Sequence, residues 1–326
     1  MSKWINKDLF NSFQKEKIEE KETPTGNFMR SELLWQNPER GTVDNAKVYE
    51  GRFVPDPNGE FYKKYLYHFW KSGETWKFVL CPKTYDFKNY CPLCSAVSKL
   101  YNGTKQDKAQ GYELKRKERF VGNYYVAKDS RDDDRDEDKK VVGKIKLYEF
   151  PSQIEKKLKN EVTDKEQGYG YQVFDPSSNG RNIIIKVLST KPDSNKKQWP
   201  DYSSTAFSRT QSALGTDEEI DALMATCTDL VKYIESMKKT NSEVVEILKS
   251  EFIWELVVDE AGKYGYVDSD QSGDSETATE ERVDRVEETA EEETTKNTED
   301  VEREEEVQAS DDELDDDDLL AQLDDL

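Results

Sequence analysis

Apolar and polar residues alternate along several stretches of the chain, which is the pattern of strands whose two faces meet different surroundings. The alternation begins near residue 43, where Pro-Asn-Gly and Ser-Gly turns separate the first three segments. Between two later segments, the acidic run RDDDRDED at 131–138 is predicted to be a solvated hairpin loop. The predicted strands cover 48–54, 61–70, 76–81, 111–128, 141–150, 169–174 and 182–188.

Apolar residues three or four positions apart predict helices in the first half of the chain. One covers 3–22 and is amphipathic, with interleaved lysines, and another covers 92–100. A third covers 152–160, with Ser152 as its cap and Glu155 completing a capping box. The first of these helices is expected to pack on its own core or on another chain.

Two further helices are predicted to close the folded body. The first begins at Thr216, with Glu219 three residues later, and continues along one apolar face to Ile234. The second begins near Thr240, with Glu243 in the matching position. Short mixed strands with few helices favour a fold of mixed β structure, in which a small barrel carries a metal-binding insertion.

The charge distribution divides the chain into a body and a tail. The 326 residues carry a formal net charge of −22, yet residues 267–326 alone contain 27 acidic and 4 basic side chains. The remaining residues are therefore nearly neutral, and all of the aromatic side chains lie among them. Such a polar, charged segment cannot bury enough apolar surface to fold, so we predict a disordered acidic tail.

The first residues, MSKWINKDLFNSF, lack the apolar run of a signal peptide. No stretch approaches the ~18 apolar residues that a membrane span needs. We therefore expect a soluble intracellular protein without a membrane partner.

One histidine and three cysteines form the most specific motif in the sequence. His68, Cys81, Cys91 and Cys94 supply one imidazole and three thiols, a complete tetrahedral set for one Zn²⁺ ion. Because protein fills all four positions, the ion would be structural. A redox-active Cys-x-x-Cys pair and buried inert thiols are the alternatives. Cys227 lies on the apolar face of a predicted helix and is expected to pack in the core.

A second motif combines cations with aromatic residues. Lys115, Arg116, Lys117 and Arg119 lie between Tyr112 and Phe120 on a predicted strand. Cations neutralise phosphates, and aromatic rings stack on unpaired bases, so the combination is typical of a surface that binds single-stranded nucleic acid. The alternative is a solvated basic face whose aromatic residues belong to the core.

The sequence offers little support for catalysis. It contains no phosphate-binding glycine loop, no Gly-x-Ser-x-Gly and no His-Glu-x-x-His, and its single histidine belongs to the metal motif. We predict a binding protein rather than an enzyme.

With these motifs, the chain resembles the single-stranded-DNA-binding, helix-destabilising proteins of T4-type bacteriophages. The resemblance extends from about residue 67 to 214 and returns at the acidic C-terminus. The spacing of the four metal ligands and the Lys115-Arg116-Lys117 cluster are similar to the family's motifs. Further similar segments are GKIKLYEF from residue 143, WPDY from residue 199 and the terminal DDLLAQLDDL.

The resemblance implies an OB-fold barrel within a DNA-binding core over 23–266, with a zinc subdomain at about 62–110. A family tyrosine between the second and third metal ligands falls on Lys88 here, where Tyr85, Phe87 or Tyr90 could replace it. Arg119 is added to the implied nucleic-acid contacts because it belongs to the basic motif. The contacts would be Tyr101, Tyr112, Lys115, Arg116, Lys117, Arg119, Phe120, Tyr148, Trp199 and Tyr202.

The resemblance also implies a biological role. The protein would coat unpaired DNA without sequence preference in replication, recombination and repair, in the cytoplasm of an infected bacterium. Residues 1–22 would contact a neighbouring protomer, although the family's basic N-terminal cluster has no counterpart there. The acidic tail at 267–326 would compete with DNA for the basic cleft and recruit replication and recombination proteins.

Two other classes of protein remain open from the sequence. A zinc-containing adaptor would bind proteins through its metal module and acidic tail, without substantial DNA binding. A zinc-dependent nuclease would need an open coordination position, which the four-ligand motif does not provide.

Overall fold

The computed structural model describes residues 3–5, 30–192 and 198–268. They lie in one compact unit, Met1–Asp268. Most of the predicted N-terminal helix and almost all of the predicted acidic tail fall outside the described residues.

The centre of the described fold is an antiparallel sheet in which strands pair in the order β3-β2-β4-β1-β6-β7, with β5 on β4 and β8 on β6. β2 pairs with the first half of β4, β1 pairs with its second half, and β5 pairs along the opposite edge. This arrangement curls the sheet into a half-barrel. The strands are β1 Lys47–Val54, β2 Lys63–Ser72, β3 Thr75–Leu80, β4 Arg116–Lys128, β5 Ile145–Phe150, β6 Ile183–Ser189, β7 Pro200–Asp201 and β8 Ala206–Phe207.

The helices lie before, between and after the strands. Short 3-10 turns cover Pro82–Thr84, Ser130–Asp134, Glu137–Lys139, Gly170–Val173, Trp254–Leu256 and Gly262–Tyr264. The α-helices are α1 Arg30–Leu33, α2 Pro92–Leu100, α3 Lys105–Leu114, α4 Ser152–Thr163, α5 Asp217–Met224, α6 Leu230–Glu235, α7 Asn241–Ser250 and α8 Val258–Ala261.

Most of the predicted elements are confirmed. The first three strands and the strand predicted at 182–188 appear within one or two residues of their expected ends. The predicted helix at 92–100 matches α2, and both C-terminal capping boxes are formed, at the starts of α5 and α7. These signals involve residues a few positions apart, so they can be recognised in the sequence before the tertiary packing is known.

Three predictions about elements were wrong. The strand predicted over 111–128 begins only at Arg116, because residues up to Leu114 complete α3. The segment predicted as a strand at 169–174 is a 3-10 turn. The single helix predicted from Thr216 to Ile234 is interrupted after Met224, and Asp229 caps a second helix by accepting from two backbone N–H groups.

Two smaller corrections concern helix and strand starts. Pro151, not Ser152, occupies the N-cap of α4, without a side-chain capping bond. The strand predicted over 141–150 starts at Ile145, because Gly143 adopts φ 81 and turns the chain just before it.

The described residues bury three hydrophobic clusters. One fills the sheet and is rich in aromatic rings, including Trp35, Tyr49 and Tyr124. A second lies between the sheet and α6. The third joins α2, α7 and the segment 253–266, which we call the C-terminal strap, around the predicted metal ligands. The predicted zinc subdomain thus gains part of its core from residues far along the chain.

Candidate metal centre and nucleic-acid interface

The four predicted metal ligands meet at one point beside the sheet. His68 lies in β2, Cys81 directly follows β3, and Cys91 and Cys94 lie at the start of α2. Their ligand atoms all lie within 4.8 Å of one another, and all but Cys94 are buried. The β2–β3 hairpin and the helix start therefore bring together residues that are 26 positions apart in sequence.

The spacing of these atoms fits a tetrahedral metal site. For Zn–S bonds of about 2.3 Å and a Zn–N bond of about 2.05 Å, a regular tetrahedron places sulfurs about 3.8 Å apart and sulfur about 3.6 Å from nitrogen. The Sγ atoms of Cys81 and Cys94 are 3.8 Å apart. His68 Nε2 lies 3.5 Å from Cys91 Sγ and 3.6 Å from Cys94 Sγ. These three distances match a tetrahedral site, and the group of four can hold a metal ion.

The imidazole is oriented by a backbone group, as in many metal sites. His68 Nδ1 lies 2.7 Å from the carbonyl oxygen of Leu114 at the end of α3. Donation of the Nδ1 proton to that oxygen leaves the Nε2 lone pair directed at the thiols. The link also ties the metal cluster to the residues that begin the basic motif.

The thiols are too close together to carry independent charges. Hydrogen bonding from Cys81 lowers the pKa of Cys94, and hydrogen bonding with Cys81 raises the pKa of Cys91. Three thiolates at this spacing repel one another unless a cation lies among them. The donor set therefore suits a thiophilic divalent ion.

The C-terminal strap covers the metal-binding segment. Tyr266 is buried in the same cluster as Cys91, and Glu260 accepts a hydrogen bond of 2.7 Å from the hydroxyl of Ser95 in α2. The Tyr90 and Tyr264 rings stack at a centroid distance of 4.3 Å. The region around the ligands is thus held by contacts from two distant parts of the chain.

The predicted basic motif lies where α3 ends and β4 begins. Lys115 Nζ lies 4.2 Å from the ring centre of Tyr112, and Arg116 Cζ lies 4.7 Å from that of Phe87. Lys83 Nζ is 5.2 Å from the same Phe87 ring. Cations and ring faces therefore form one surface next to the metal centre.

Among Tyr85, Phe87 and Tyr90, the three residues that could replace the family tyrosine at Lys88, Phe87 is the most exposed. Its side chain is 64% exposed, whereas Tyr85 is buried and Tyr90 is stacked on the strap. Phe87 lies in the loop between the ligands Cys81 and Cys91, so a bound metal would fix both ends of that loop. This choice among three residues could not be made from the sequence.

The opposite face of the same strands carries a second group of cations and rings. Because side chains alternate along strands, Lys117 points away from the face of Arg116 and lies near Phe69. Lys117 Nζ donates to the Phe69 carbonyl oxygen at 3.0 Å, and the Phe69 ring stacks on Trp76. Phe69 and Trp76 were predicted only as strand residues, and this group was not predicted, although lysines near both residues are visible in the sequence.

Three of the predicted DNA contacts lie in the hydrophobic core. Phe120, Tyr148 and Tyr202 are buried, and Tyr148 has no exposed surface. Burial raises the pKa of Tyr148 well above its ordinary value. In this arrangement their ring faces pack against protein instead of solvent, so we leave them out of the interface proposed below.

The remaining predicted contacts lie at several places. Tyr101 follows α2 and is exposed. It lies near Gly111, the residue that precedes Tyr112. Arg119 is partly buried; burial lowers its pKa, but Tyr67 and Tyr65 outweigh that effect and raise it. Trp199 is 57% exposed beside β7, across the sheet from the basic motif.

A curled sheet that presents cations and ring faces beside a thiol-imidazole cluster has the groups that a nucleic-acid-binding protein uses. The family described as gp32 DNA binding protein like matches residues 51–252. The chain therefore belongs to this family, and the resemblance to the single-stranded-DNA-binding proteins of T4-type phages is confirmed. The family is one of DNA-binding proteins rather than of enzymes. A search of curated proteins gave no match.

Among the described residues, no helix is both long enough and apolar enough to cross a membrane.

Proposed function

We propose that this protein coats single-stranded DNA without sequence preference during replication, recombination and repair of a phage genome, in the cytoplasm of the infected bacterium. The observation that carries the proposal is the surface formed by Tyr112, Lys115, Arg116 and Phe87, which combines cations with accessible ring faces. Family membership supports single-stranded DNA as the ligand. The half-barrel sheet supports an OB-fold as its framework.

The chemistry of this surface explains the lack of sequence preference. Lys115 and Arg116 neutralise phosphates and release counterions, which makes affinity depend on salt. Tyr112 and Phe87 stack on bases, a contact of about 1–3 kcal/mol per base that every base can make. Unpaired DNA exposes its base faces to these rings, whereas a duplex keeps its base faces covered. The surface therefore suits unpaired DNA.

We propose that one structural Zn²⁺ ion occupies the site of His68, Cys81, Cys91 and Cys94. A bound ion would supply four bonds that close the loop containing Lys83 and Phe87. It would thereby hold Phe87 beside Arg116, and the ion's role would be to order the interface.

The acidic tail and the N-terminal segment complete the proposal. A segment of net charge −23 attached to a basic surface competes with DNA for it, and longer DNA or higher salt weakens this competition. Its leucine-containing end, DDLLAQLDDL, would recruit replication and recombination proteins. Residues 1–22 would contact the next protomer along the DNA.

The experiment is a salt titration of intrinsic fluorescence on poly(dT), with the full chain and with a chain that ends at Asp268. We expect strong quenching that weakens steeply with salt, and tighter binding by the shortened chain. Binding that is weak and insensitive to salt in both chains would contradict the proposal and favour the adaptor.

Substitution of Lys115 or Arg116 by Gln tests the phosphate role. Each change should weaken binding to all DNA sequences alike and reduce the slope of log K against log salt by about 0.7, the value for one phosphate of a single strand. Lys139→Gln, in the connection between β4 and β5, is the matched control and should change neither quantity. A change in base preference would show that these residues contact bases instead.

A further inference from the structure

The end of the β2–β3 hairpin extends past the start of β4. β4 begins at Arg116, opposite His68, so β2 residues after His68 pair only with β3. The four pairs from Phe69 with Phe78 to Ser72 with Thr75 form a two-stranded projection, which we call the hairpin tip (residues 69–78). A two-stranded ribbon is marginally stable in water, so side-chain contacts must support it.

A tryptophan at the hairpin tip is held flat with one face covered. The Trp76 and Phe69 rings are 4.9 Å apart and only 6° from parallel, yet Trp76 is 62% exposed. Phe69 covers one ring face and leaves the exposed surface of Trp76 on the other side. The stack fixes the ring before any ligand arrives, which lowers the entropy cost of binding.

Two lysines flank this ring. Lys71 is directly opposite Trp76 in the strand pairing, and Lys117 is bonded to the Phe69 backbone on the same face. Lys77 pairs with Trp70 on the opposite face of the ribbon, and Glu74 in the turn is the acidic residue of the tip. Two lysines on the face of Trp76, against one glutamate in the turn, favour an anionic ligand with a flat aromatic group, which is the chemistry of a nucleotide.

A ring with one open face can end a base stack but cannot be inserted between two bases, because insertion needs both faces. The end of a duplex presents such a stack as a broad, rigid surface. At the base of the hairpin tip, the two groups of cations and rings lie on opposite faces, with Arg116 and Phe87 on one side and Lys117 and Trp76 on the other.

We propose that Trp76 stacks on the terminal base pair where single-stranded DNA meets duplex, while the surface of Arg116 and Phe87 holds the unpaired strand. This inference rests on the proposed function and assigns a site for the junction. Lys71 and Lys117 contact the phosphates of the duplex end. The protein thereby recognises the boundary of the strand that it coats.

The experiment compares Trp76→Ala with the wild-type full chain on two labelled DNAs: poly(dT), and a duplex of about 12 base pairs with a dT tail. We expect the variant to bind poly(dT) within twofold of wild type. We expect its preference for the tailed duplex over poly(dT) to fall by about 5- to 150-fold, the effect of one lost stacking contact. Trp76→Phe, which keeps a flat ring, should restore much of the preference.

Phe252→Ala is the matched control, since Phe252 is an aromatic residue with 93% exposure outside the hairpin. It should change neither affinity. Equal loss of affinity for both DNAs in Trp76→Ala would make Trp76 an ordinary strand contact and overturn the proposal, as would no change on either DNA. A wild-type chain that fails to bind poly(dT) would contradict the proposed function itself.

Discussion

At the scale of single residues, Phe87 and Tyr148 show why aromatic residues near a basic strand have different roles. Phe87 lies on the surface with Arg116 against its ring. Tyr148 is enclosed by Tyr124 and Phe150 in the sheet's core. One ring is available to a base, and the other contributes to packing.

Substitution of these two residues separates the roles. Phe87→Ala should weaken binding to poly(dT) by about 5- to 150-fold, because one stacking contact of about 1–3 kcal/mol is lost. Tyr148→Phe should leave DNA affinity unchanged, because only a buried hydroxyl is removed. Fluorescence titration measures both, and thermal unfolding confirms that the variants are folded. A large loss of affinity in Tyr148→Phe would restore that residue to the interface.

The four residues that can hold a metal ion could be predicted from the sequence, whereas the rings that face solvent could not. The sequence carries the ligand types and their spacing directly, and a tetrahedral ion accepts few other combinations. Whether a tyrosine or phenylalanine faces solvent depends on strands that pair across long separations. Phe120, which is buried, was therefore predicted to contact DNA, whereas the exposed Phe87 was only one of three possible replacements for a family tyrosine.

At the scale of elements, the connection between β4 and β5 is more ordered than its sequence indicates. Asp132 is buried within the acidic segment 131–138, which was predicted to be a solvated loop, and Asp129, two residues before that segment, is buried as well. Asp129 accepts from Trp35 Nε1 at 2.9 Å and pairs with Arg131, while Asp132 accepts from the backbone of Val141 at 2.7 Å. The two carboxylates hold the connection against the sheet.

These contacts predict a pH dependence of stability. Burial raises the pKa of Asp129, but hydrogen bonds from Arg131 and Trp35 outweigh it, so its pKa lies below the ordinary value. A depressed pKa stabilises the folded state above the unfolded pKa of about 3.9, and the contribution is lost as pH falls through the folded pKa.

Asp129→Asn should therefore lower the free energy of unfolding at pH 7 by about 1–3 kcal/mol, because buried donors lose their charged acceptor. The difference from wild type should shrink below about pH 4. Urea unfolding between pH 7 and pH 2.5 measures both quantities. Asp134→Asn, an exposed position in the same connection, should change stability by less than about 0.5 kcal/mol. A difference that stays constant with pH would contradict the assignment.

Removal of the metal should loosen one part of the described fold. Chelation, or Cys91→Ser, should reduce hydrogen-exchange protection in α2 and in the C-terminal strap, because both pack around the ligands. β1 and β6 should keep their protection, since they belong to the aromatic cluster of the sheet.

Hydrogen exchange with mass spectrometry, with and without chelator, gives the comparison. Cys227→Ser is the control, because this cysteine lies outside the cluster of four ligands. Unchanged protection of α2 after the metal is removed would show that the site contributes nothing to local folding.

Helices and strands were predicted correctly where a capping box or a local alternation of residues specifies them. They were predicted wrongly where tertiary contacts select between a helix and a strand or end a helix. The capping boxes before α5 and α7 satisfy backbone donors within one turn. By contrast, alternation across residues 111–114 fits a strand as well as the last turn of a helix, and packing of α3 against α2 selects the helix. The apolar periodicity continues past Asp229 and predicts one long helix. The side chain of Asp229 instead caps a new helix, and this cap produces the break.

At the scale of the whole molecule, the family match and the folded unit end at different residues. The match ends at Phe252, but Ile253, Trp254 and Tyr266 of the strap are buried beyond it. The hydrophobic cluster around the predicted metal ligands is therefore incomplete in the matched region alone.

A chain that ends at Phe252 should consequently lose the metal-binding subdomain, whereas one that ends at Asp268 should keep it. Each large apolar side chain of the strap contributes about 1.5–3 kcal/mol when buried. The free energy lost with all of these side chains is therefore comparable with the stability of a whole domain. Metal content after gel filtration and near-ultraviolet circular dichroism measure the result. Equal metal content and equal spectra in the two chains would show that the strap is dispensable.

The position of the strap also sets an order of events during synthesis. Cys94, the last metal ligand, leaves the ribosome about 160 residues before the strap begins. At roughly 5–20 residues per second, the ligands are exposed for on the order of 10–30 s before their cover is made. During this interval an ion can reach the thiols of the nascent chain, because the strap does not yet cover them. The interval ends when the strap has been synthesised and packs around the ligands.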